Sequence, residues 1–480
     1  MSQAEAADKA RVKTSFVQDT IKYFDTDLTS MHSLPPEELH ALQLDAMATR
    51  FEQQIEKIPV LKTLAERQNI RSIKDVNDIV PVMFEHTMYK SYPITLLENS
   101  RFDRMTEWLN KLTSHDLSSV DASKCDSIDS WLDAVADQSD VDATTSSGSS
   151  GTMSFMPKDR GDWGRLARGM RISALQTFGV KPTQEDLHGK IDVIWPSYRD
   201  GHMATFRTGN YFREYFAGGD ETMYHTVYPG KGSCDVMFLA GRLRAAAVKG
   251  ADPSKLKIPA NLLARRGELE AMQKDMPAQQ EVFMQDLATK LRGKRVFGTG
   301  TWNLFHGLAM KGLASGVEGV FAPNSSISTG GGAKGMVVPD DWEDVVKRFY
   351  GVSRINLQYG MTEQSTTHAL CEHGNYHFFP TAIPFVLDAD TSVPLPRTGV
   401  QRGRGAFFDI SLEGHWGGIT TGDHIELHFD ADCACGRKTI YADKAINRFT
   451  ELTGNEDKIT CAATPEAHGE AMEFLTGIST

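Results

Sequence analysis

Residues Ile191–Trp195 read IDVIW, a short run of β-type side chains that opens the most informative part of the chain. From 190 to 450, such runs alternate with turn signals and helical stretches. Ala406–Leu412 (AFFDISL) and His424–Phe429 (HIELHF) are two more, and Gly267–Leu291 reads as a long helix. β-branched and aromatic residues suit a pleated, half-buried surface, whereas a long stretch of helix formers does not. The mixture predicts α/β or α+β lobes with substantial sheet flanked by helices. No repeat of fixed period interrupts it.

Upstream of this region the chain reads mainly as helices. In Glu37–Ile58, apolar Leu39, Leu42, Leu44, Met47, Phe51 and Ile55 recur mostly at three- or four-residue steps, and Pro35-Pro36 supplies a start. Phe102–Leu112 and Ile128–Ala136 look alike. These helices are predicted to pack on the later sheet. Composition then changes at Thr144–Thr152, TTSSGSSGT, which holds no charge and no large side chain. Read alone, this is equally a flexible linker. Against that, Met153, Phe155, Met156 and Pro157-Lys158 follow at once, where a linker would continue polar.

At 480 residues the chain exceeds the usual size of one hydrophobic core, so two or more lobes are expected. Its 40% hydrophobic and 24% charged residues are those of an ordinary globular protein. A net charge of -12 argues against a general nucleic-acid binder, which needs a basic face for phosphates. The charged amino terminus has no apolar core of a secretory signal, and no run approaches the roughly 18 apolar residues of a membrane helix. Six cysteines are too few for a disulfide scaffold in a chain this long. A cytoplasmic protein without a membrane or nucleic-acid partner is expected.

Four segments carry chemistry in a fixed order: SSGSSGT at 146–152, TGGGAKG at 329–335, QYGMTEQ at 358–364 and TTGDHIEL at 420–427. The Ser/Thr/Gly loop offers unhindered backbone N–H groups and hydroxyls that can wrap phosphate oxygens. It is not the P-loop of nucleoside triphosphatases, because no Gly-Lys-Ser/Thr ends it. The Gly-rich TGGGAKG lets backbone lie flat against a planar ligand. Tyr359 can stack on a base, Thr362 can donate to phosphate, and Glu363 can bind Mg²⁺ as a hard oxygen ligand. Asp423, read as following a tight Gly turn before a strand, can accept both hydroxyls of a ribose.

Together these residues and their order resemble the acyl-adenylate-forming superfamily of acyl-CoA synthetases, luciferases and peptide-synthetase adenylation domains. The chain looks most like the branch of phenylacetate–CoA ligases and the acyl-protein synthetases of bioluminescence. The resemblance spans about residues 140–460. It implies a helical N-terminal part of the large domain at 1–140, an adenylate-forming core at 141–454, and a hinge with a vestigial carboxy-terminal segment at 455–480. It also implies ATP and Mg²⁺ as cofactors, a small carboxylic acid as substrate, and CoA, a protein or an amine as acyl acceptor.

The implied roles fall residue by residue. Ser147, Gly148, Ser149, Ser150, Gly151 and Thr152 would grip the β,γ-phosphates. Gly331, Gly332, Ala333 and Tyr359, with Gly360 and Met361 beside it, would flank the nucleotide. Thr362 would touch the α-phosphate, Glu363 would hold the metal, and Asp423 would hold ribose.

Two departures stand out. The superfamily's lysine shortly after the phosphate loop is replaced by Ser154, and the nearest lysine, Lys158, reads as a surface residue. LTGNEDKI at 452–459 resembles the hinge ITGRSDDM, so Asn455 stands where an arginine is common and Asp457 would be the hinge residue. That leaves Arg437 or Arg448 to contact the nucleotide. Relatives continue past this point into a mobile domain bearing an adenylation lysine. Here only TPEAHGEAMEFL follows, and CoA is accordingly expected to be a poor acceptor for this chain alone.

Cys433-Ala-Cys435 precedes Gly436-Arg437, and Cys371 and His377 lie shortly after YGMTE. Two ligands from each segment make a tetrahedral Cys₃His set, a common structural zinc arrangement, with His373 the competing fourth ligand. Buried cysteines as small hydrophobes are the alternative. Trp302, Phe305 and His306, in FGTGTWNLFHGL, are candidates for lining an acyl pocket for an aromatic or branched acid, although Trp and Phe are core residues more often. His415-Trp416, in a Gly-rich turn, reads as surface structure. A nucleotide-binding regulatory protein without catalysis is the rival function; intact Thr362, Glu363 and Asp423 speak against it.

Overall fold

The computed structural model describes residues 15–24, 26–146, 152–176, 182–330, 332, 337–430, 432–449, 471–472 and 474–475. Along the chain come helices α1 (Pro36–Gln54) and α2 (Pro59–Gln68), strand β1 (Phe84–Glu85), and helices α3 (Phe102–Leu109) and α4 (Ile128–Gln138). A two-strand hairpin follows, β2 (Thr144–Thr145) and β3 (Phe155–Met156), then α5 (Arg160–Leu175). Next are β4 (Asp192–Asp200), α6 (Ala204–Tyr215), β5 (Tyr224–Lys231), α7 (Cys234–Val248) and α8 (Arg266–Thr289). Then β6 (Val296–Gly300), α9 (Trp302–Ala314), β7 (Ser326–Gly330), α10 (Trp342–Tyr350) and β8 (Ile355–Tyr359) continue the alternation. The rest is strand: β9 (His368–Ala369), β10 (Asn375–His377), β11 (Ala382–Leu387), β12 (Val400–Asp409), β13 (Gly418–His428), β14 (Tyr441–Asp443) and β15 (Asn447–Arg448).

The architecture is mixed α/β. One sheet of six strands runs β5-β4-β6-β7-β8-β9, parallel except for β9, and the intervening helices cover it. Val193 and Ile194 of β4, Val296 and Phe297 of β6 and Ile327 of β7 are fully buried in one core with these helices. Chain order reverses beside β4: β5 lies to one side, while β6, β7 and β8 follow on the other. In open α/β sheets, ligands bind in the crevice outside the carboxyl ends of the strands at such a switch point.

The second sheet runs β10-β14-β13-β12-β11, with β1 and β15 also paired to β13. Its inner face shares one core with the N-terminal helices. Leu39, Leu42, Met47 and Phe51 of α1 join Phe385, Phe407, Phe408 and Ile419 there. Polar side chains of α1 fix the seam: Gln43 donates to the Pro380 carbonyl at 3.0 Å, and Arg50 donates to the Ile410 carbonyl at 2.9 Å. The three N-terminal helices predicted from periodicity are thus α1, α3 and α4, and the predicted strands fall on β4, β12 and β13.

Two readings are corrected. His415 and Trp416 are not surface structure. Trp416 is buried against Phe51 and Phe408 and donates its indole N–H to the Val82 carbonyl at 2.8 Å, while His415 is fully buried. Nor does Asp423 follow a tight turn. Thr420–Asp423 lie inside β13, where the register jumps from Arg404↔His424 to Ala406↔Thr420. A bulge of this kind leaves extra residues opposite Gly405 and re-aims a side chain without ending the strand. Thr421 holds it, its hydroxyl donating to the Gly405 carbonyl at 2.7 Å and accepting from the Asp423 amide at 3.1 Å.

Helices α4 and α7 meet end to end. The Asp235 carboxylate accepts from the Ile128 and Asp129 amides, and Asp129 accepts from the Cys234 amide and the Ser233 hydroxyl. Each helix start, with its unsatisfied N–H groups and positive dipole end, is satisfied by the other's acid. Met472 and Leu475 pack on Leu239, Leu262 and Leu269, close to this junction.

Candidate functional site

The register of the parallel sheet puts the ends of its strands on one edge. Gly300 stands opposite Thr329, and Gly330 opposite Gln358, so the segments after β6, β7 and β8 emerge side by side. Those segments carry Trp302, Gly332 and Tyr359–Glu363. Gly330 tolerates no side chain: a Cβ there would sit 2.9 Å from the Gln358 carbonyl oxygen. Gly332 is exposed with φ +59°; Gly331 and Ala333 lie outside the described residues.

β8 returns to β9 through the loop 360–367, closed by the pair Tyr359↔His368. A Cβ on Gly360 would lie 2.7 Å from the Thr367 methyl, so only glycine lets the two arms approach. Beyond Glu363 the loop is pinned from three directions. Asp409, at the end of β12, accepts from the Ser365 amide at 2.8 Å and the Thr366 hydroxyl at 3.0 Å. Lys158, just after β3, donates to the Gln364 carbonyl and to the Ser365 hydroxyl at 3.2 Å. His415 lies 3.3 Å from the Glu363 carbonyl oxygen through Nε2. Burial and the Lys158 charge hold that imidazole near a pKa of about 4, so it is neutral and donates as the Nε2–H tautomer.

Lys158 was predicted on the surface and is instead 1% exposed. Burial pulls its ammonium down to about 8, against the pull of Asp162, Asp409 and Glu363. Gln364, Ser365 and Thr366 are buried, whereas Met361, Thr362 and Glu363 keep partial exposure. Burial also raises the Glu363 carboxyl; the charges of Lys158 and Lys90 oppose the rise. Such a carboxylate favours a cation as partner.

Tyr359 and Asp423 meet directly: the phenol donates to the carboxylate at 2.9 Å. Burial, then the Asp423 charge, raises the Tyr359 hydroxyl well above its ordinary value, so it remains a donor. Arg448 pairs with Asp423 across β13 and β15. Arg437 is elsewhere, buried beside His32 and His377 with Nη2 3.8 Å from Glu372. His86, beside Gly422, has its pKa lowered by burial and by Lys90, Arg448 and Arg404, which marks a basic rim around this end of the crevice.

In sequence, the Ser/Thr/Gly segment falls between β2 and β3, which pair as an antiparallel hairpin. Ser147–Gly151 lie outside the described residues; Thr152 is half-buried. Thr144 donates its hydroxyl to the His202 carbonyl at 2.7 Å, and the Thr145 amide donates to the same oxygen at 3.0 Å. The hairpin is therefore fastened to the end of β4, at the switch point. Of the pocket candidates, Phe305 is fully buried in the sheet core against Tyr350. Trp302 is largely buried 6.0 Å from Trp342, and His306 is half-buried.

Cys371, His377, Cys433 and Cys435 converge, with all four ligand atoms within 4.8 Å of one another. The Cys371 and Cys433 sulfurs are 3.9 Å apart, and Cys435 Sγ is 3.2 Å from His377 Nε2. Zinc–sulfur bonds of about 2.3 Å in a tetrahedron give edges of about 3.8 Å, so the set has the dimensions of a closed four-ligand site. His373 is exposed and outside it. His377 Nδ1 faces the Thr439 hydroxyl at 3.4 Å, which lies 2.7 Å from His32 Nδ1. Burial, with Arg437 beside it, lowers the His377 pKa to about 3, so the imidazole is neutral, the form in which a ring nitrogen can bind a metal.

Sequence reasoning missed Asp409, Asp162 and the burial of Lys158. Asp409 had a signal, an acid inside the apolar run AFFDISL, and Asp162 completes a capping box with Asp159 at the start of α5. Lys158 had none.

No family model matches the chain, and no curated protein matches it in sequence. Similar solved structures include an open conformation of 2-hydroxyisobutyryl-CoA ligase in complex with 2-HIB-AMP and CoA. Its TM-score is 0.47 at 12% identity, over 87% of this chain and 71% of that one. The same ligase in the postadenylation state with R3-HIB-AMP scores 0.47 at 12% identity, over 87% and 69%. ATP-bound MatB from Rhodopseudomonas palustris scores 0.32 at 12% identity, over 67% and 52%. At these scores and identities the likeness assigns no family and transfers no residue role. Among the described residues, no helix is long and apolar enough to cross a membrane.

Proposed function

We propose that the chain is an acid–ATP ligase of the acyl-adenylate-forming superfamily, converting a carboxylic acid and ATP into an acyl-AMP and pyrophosphate. The observation that carries the reading is the meeting of Tyr359, Asp423 and the loop bearing Thr362 and Glu363 at the carboxyl ends of the parallel strands. An oxygen of the substrate carboxylate attacks the α-phosphorus. The bond from that phosphorus to the bridging oxygen breaks, and pyrophosphate leaves with the electron pair. The protein's work is to align the reactants and neutralise developing charge, with no covalent nucleophile of its own.

In this reading Asp423 accepts from the ribose hydroxyls, and Tyr359 and Gly332 flank the base. Thr362 donates to the α-phosphate, and Arg448 stands near the nucleotide. Ser147–Thr152 grip the β,γ-phosphates. The Glu363 carboxylate fits a hard divalent cation by donor type and by the burial that raises its pKa. Mg²⁺ held there supplies charge neutralisation at the phosphates. Trp302 and His306 border the acid, whose class we read as aromatic or branched; Phe305 supports them from the core. CoA, a protein or an amine then accepts the acyl group.

We further read Cys371, His377, Cys433 and Cys435 as a structural zinc site and the chain as a member of the phenylacetate–CoA ligase and acyl-protein synthetase branch. The donor geometry and the Cys-x-Cys-Gly-Arg run support both. Thiols kept as metal ligands suit the reducing cytoplasm.

Exchange of labelled pyrophosphate into ATP, across a panel of carboxylic acids, tests the reaction. Exchange that requires one class of acid and a divalent cation is expected. Exchange with no acid in the panel, by a protein that binds ATP, would return the chain to the non-catalytic class.

A further inference from the structure

A lysine side chain ordinarily runs along the surface and keeps its ammonium in water. Lys158 does not. It is 1% exposed, and its Nζ donates to the Gln364 carbonyl and the Ser365 hydroxyl while lying 5.5 Å from the Trp163 ring centre. A buried charge persists only where partners replace water. Here the acceptors belong to the two residues after Glu363, and the balancing charges are Asp162, Asp409 and Glu363 itself.

The surroundings are built to the same end. Asp409 takes the Ser365 amide and the Thr366 hydroxyl; His415 donates to the Glu363 carbonyl. Asp162 fixes the turn that presents His415, accepting from the Glu413 amide at 2.8 Å and the Gly414 amide at 3.1 Å. Three side chains from three parts of the fold thus grip residues 363–366, of which Glu363 alone keeps partial exposure. Lys158 also follows β3 by two residues, so the grip joins the loop to the base of the hairpin.

We propose that Lys158 is a positioning residue that acts through the Gln364 carbonyl and the Ser365 hydroxyl to set the Glu363 carboxylate, without touching the nucleotide. The proposal rests on the reading of Glu363 as the metal carboxylate. A lysine directed at phosphate would be expected to leave its ammonium open to the crevice, and this one is enclosed.

Lys158→Met keeps much of the length and removes the donors; Ser365→Ala removes one acceptor and serves if the first variant fails to fold. Hydrogen exchange of the ligand-free protein gives a readout independent of activity. The amides of 363–367 are expected to exchange about tenfold faster in either variant while those of β4 and β6 do not change. In pyrophosphate exchange, turnover should fall about tenfold or more and the Mg²⁺ concentration at half-maximal rate should rise several-fold, with the KM for ATP within about twofold. A rise in KM for ATP of about tenfold or more, with unchanged loop exchange and Mg²⁺ requirement, overturns the proposal and puts Lys158 on the phosphates. Wild-type protein with no acid-dependent exchange would sink the functional reading, while the hydrogen-exchange result would still decide whether Lys158 holds the loop.

Discussion

Tyr359 and Asp423 stand 64 residues apart in the chain, yet a phenol O–H donates to a carboxylate across 2.9 Å. The pair fixes the carboxylate that the proposed function assigns to ribose. In that role Asp423→Ala raises the KM for ATP about tenfold, since a hydrogen bond to a charged group is worth about 1.5–3 kcal/mol. Tyr359→Phe keeps the ring and loses the donor, so a smaller rise is expected. Steady-state exchange at varied ATP checks both, and an unchanged KM in Asp423→Ala removes Asp423 from the nucleotide. Glu363→Gln should instead lower turnover about 100-fold with thermal stability retained, because an amide is a poor magnesium ligand; near-normal turnover would free Glu363 of its role. Legibility at this scale divides by how local the cause is. Asp423 and Glu363 sit in short motifs whose residue types suggest chemistry. Lys158 is buried by a loop 206 residues later in the chain, and nothing near it in sequence announces that.

At the scale of elements, the strands IDVIW and HIELHF were legible because β-type runs between turn signals have few other uses. The bulge in β13 was not. A Thr-Gly-Asp sequence is turn chemistry by residue type, and only pairing with both β12 and β15 keeps it extended. The Cys₃His set joins the segment after β9 to the segment after β13, both leading back to the candidate site. Purified protein is expected to carry about one zinc per chain, and Cys433→Ser to lose it together with stability and solubility. Metal-free protein of full stability would contradict this. The junction of α4 and α7 makes a separate, pH-dependent prediction. Burial and the neighbouring Asp129 raise the Asp235 carboxyl from 3.8 to about 7. The folded state therefore holds a proton that the unfolded state releases, so its contribution is complete below about pH 4 and is lost as pH rises through about 7. Asp235→Asn cannot ionise. Its melting temperature should match wild type near about pH 4 and exceed it at about pH 8. A difference that stays constant with pH would remove Asp235 from the effect.

Across the whole molecule, two sheets divide the labour. The parallel sheet brings its strand ends to one edge, and the mainly antiparallel second sheet, backed by the N-terminal helices, brings Asp423, Asp409 and Arg448 beside it. The alternation of strands and helices made the mixed α/β class readable, since each pattern has its own period. Strand order was not readable, because pairing partners are chosen by three-dimensional fit. The proposed reaction bonds a substrate carboxylate oxygen to the α-phosphorus of ATP at the edge where β6, β7 and β8 end. The direct measurement uses the acid selected by pyrophosphate exchange, labelled with ¹⁸O in both carboxyl oxygens, and mass analysis of the nucleotide after acyl transfer to an added acceptor. AMP carrying one ¹⁸O is expected. Unlabelled AMP, or ADP with the label in inorganic phosphate, would contradict it.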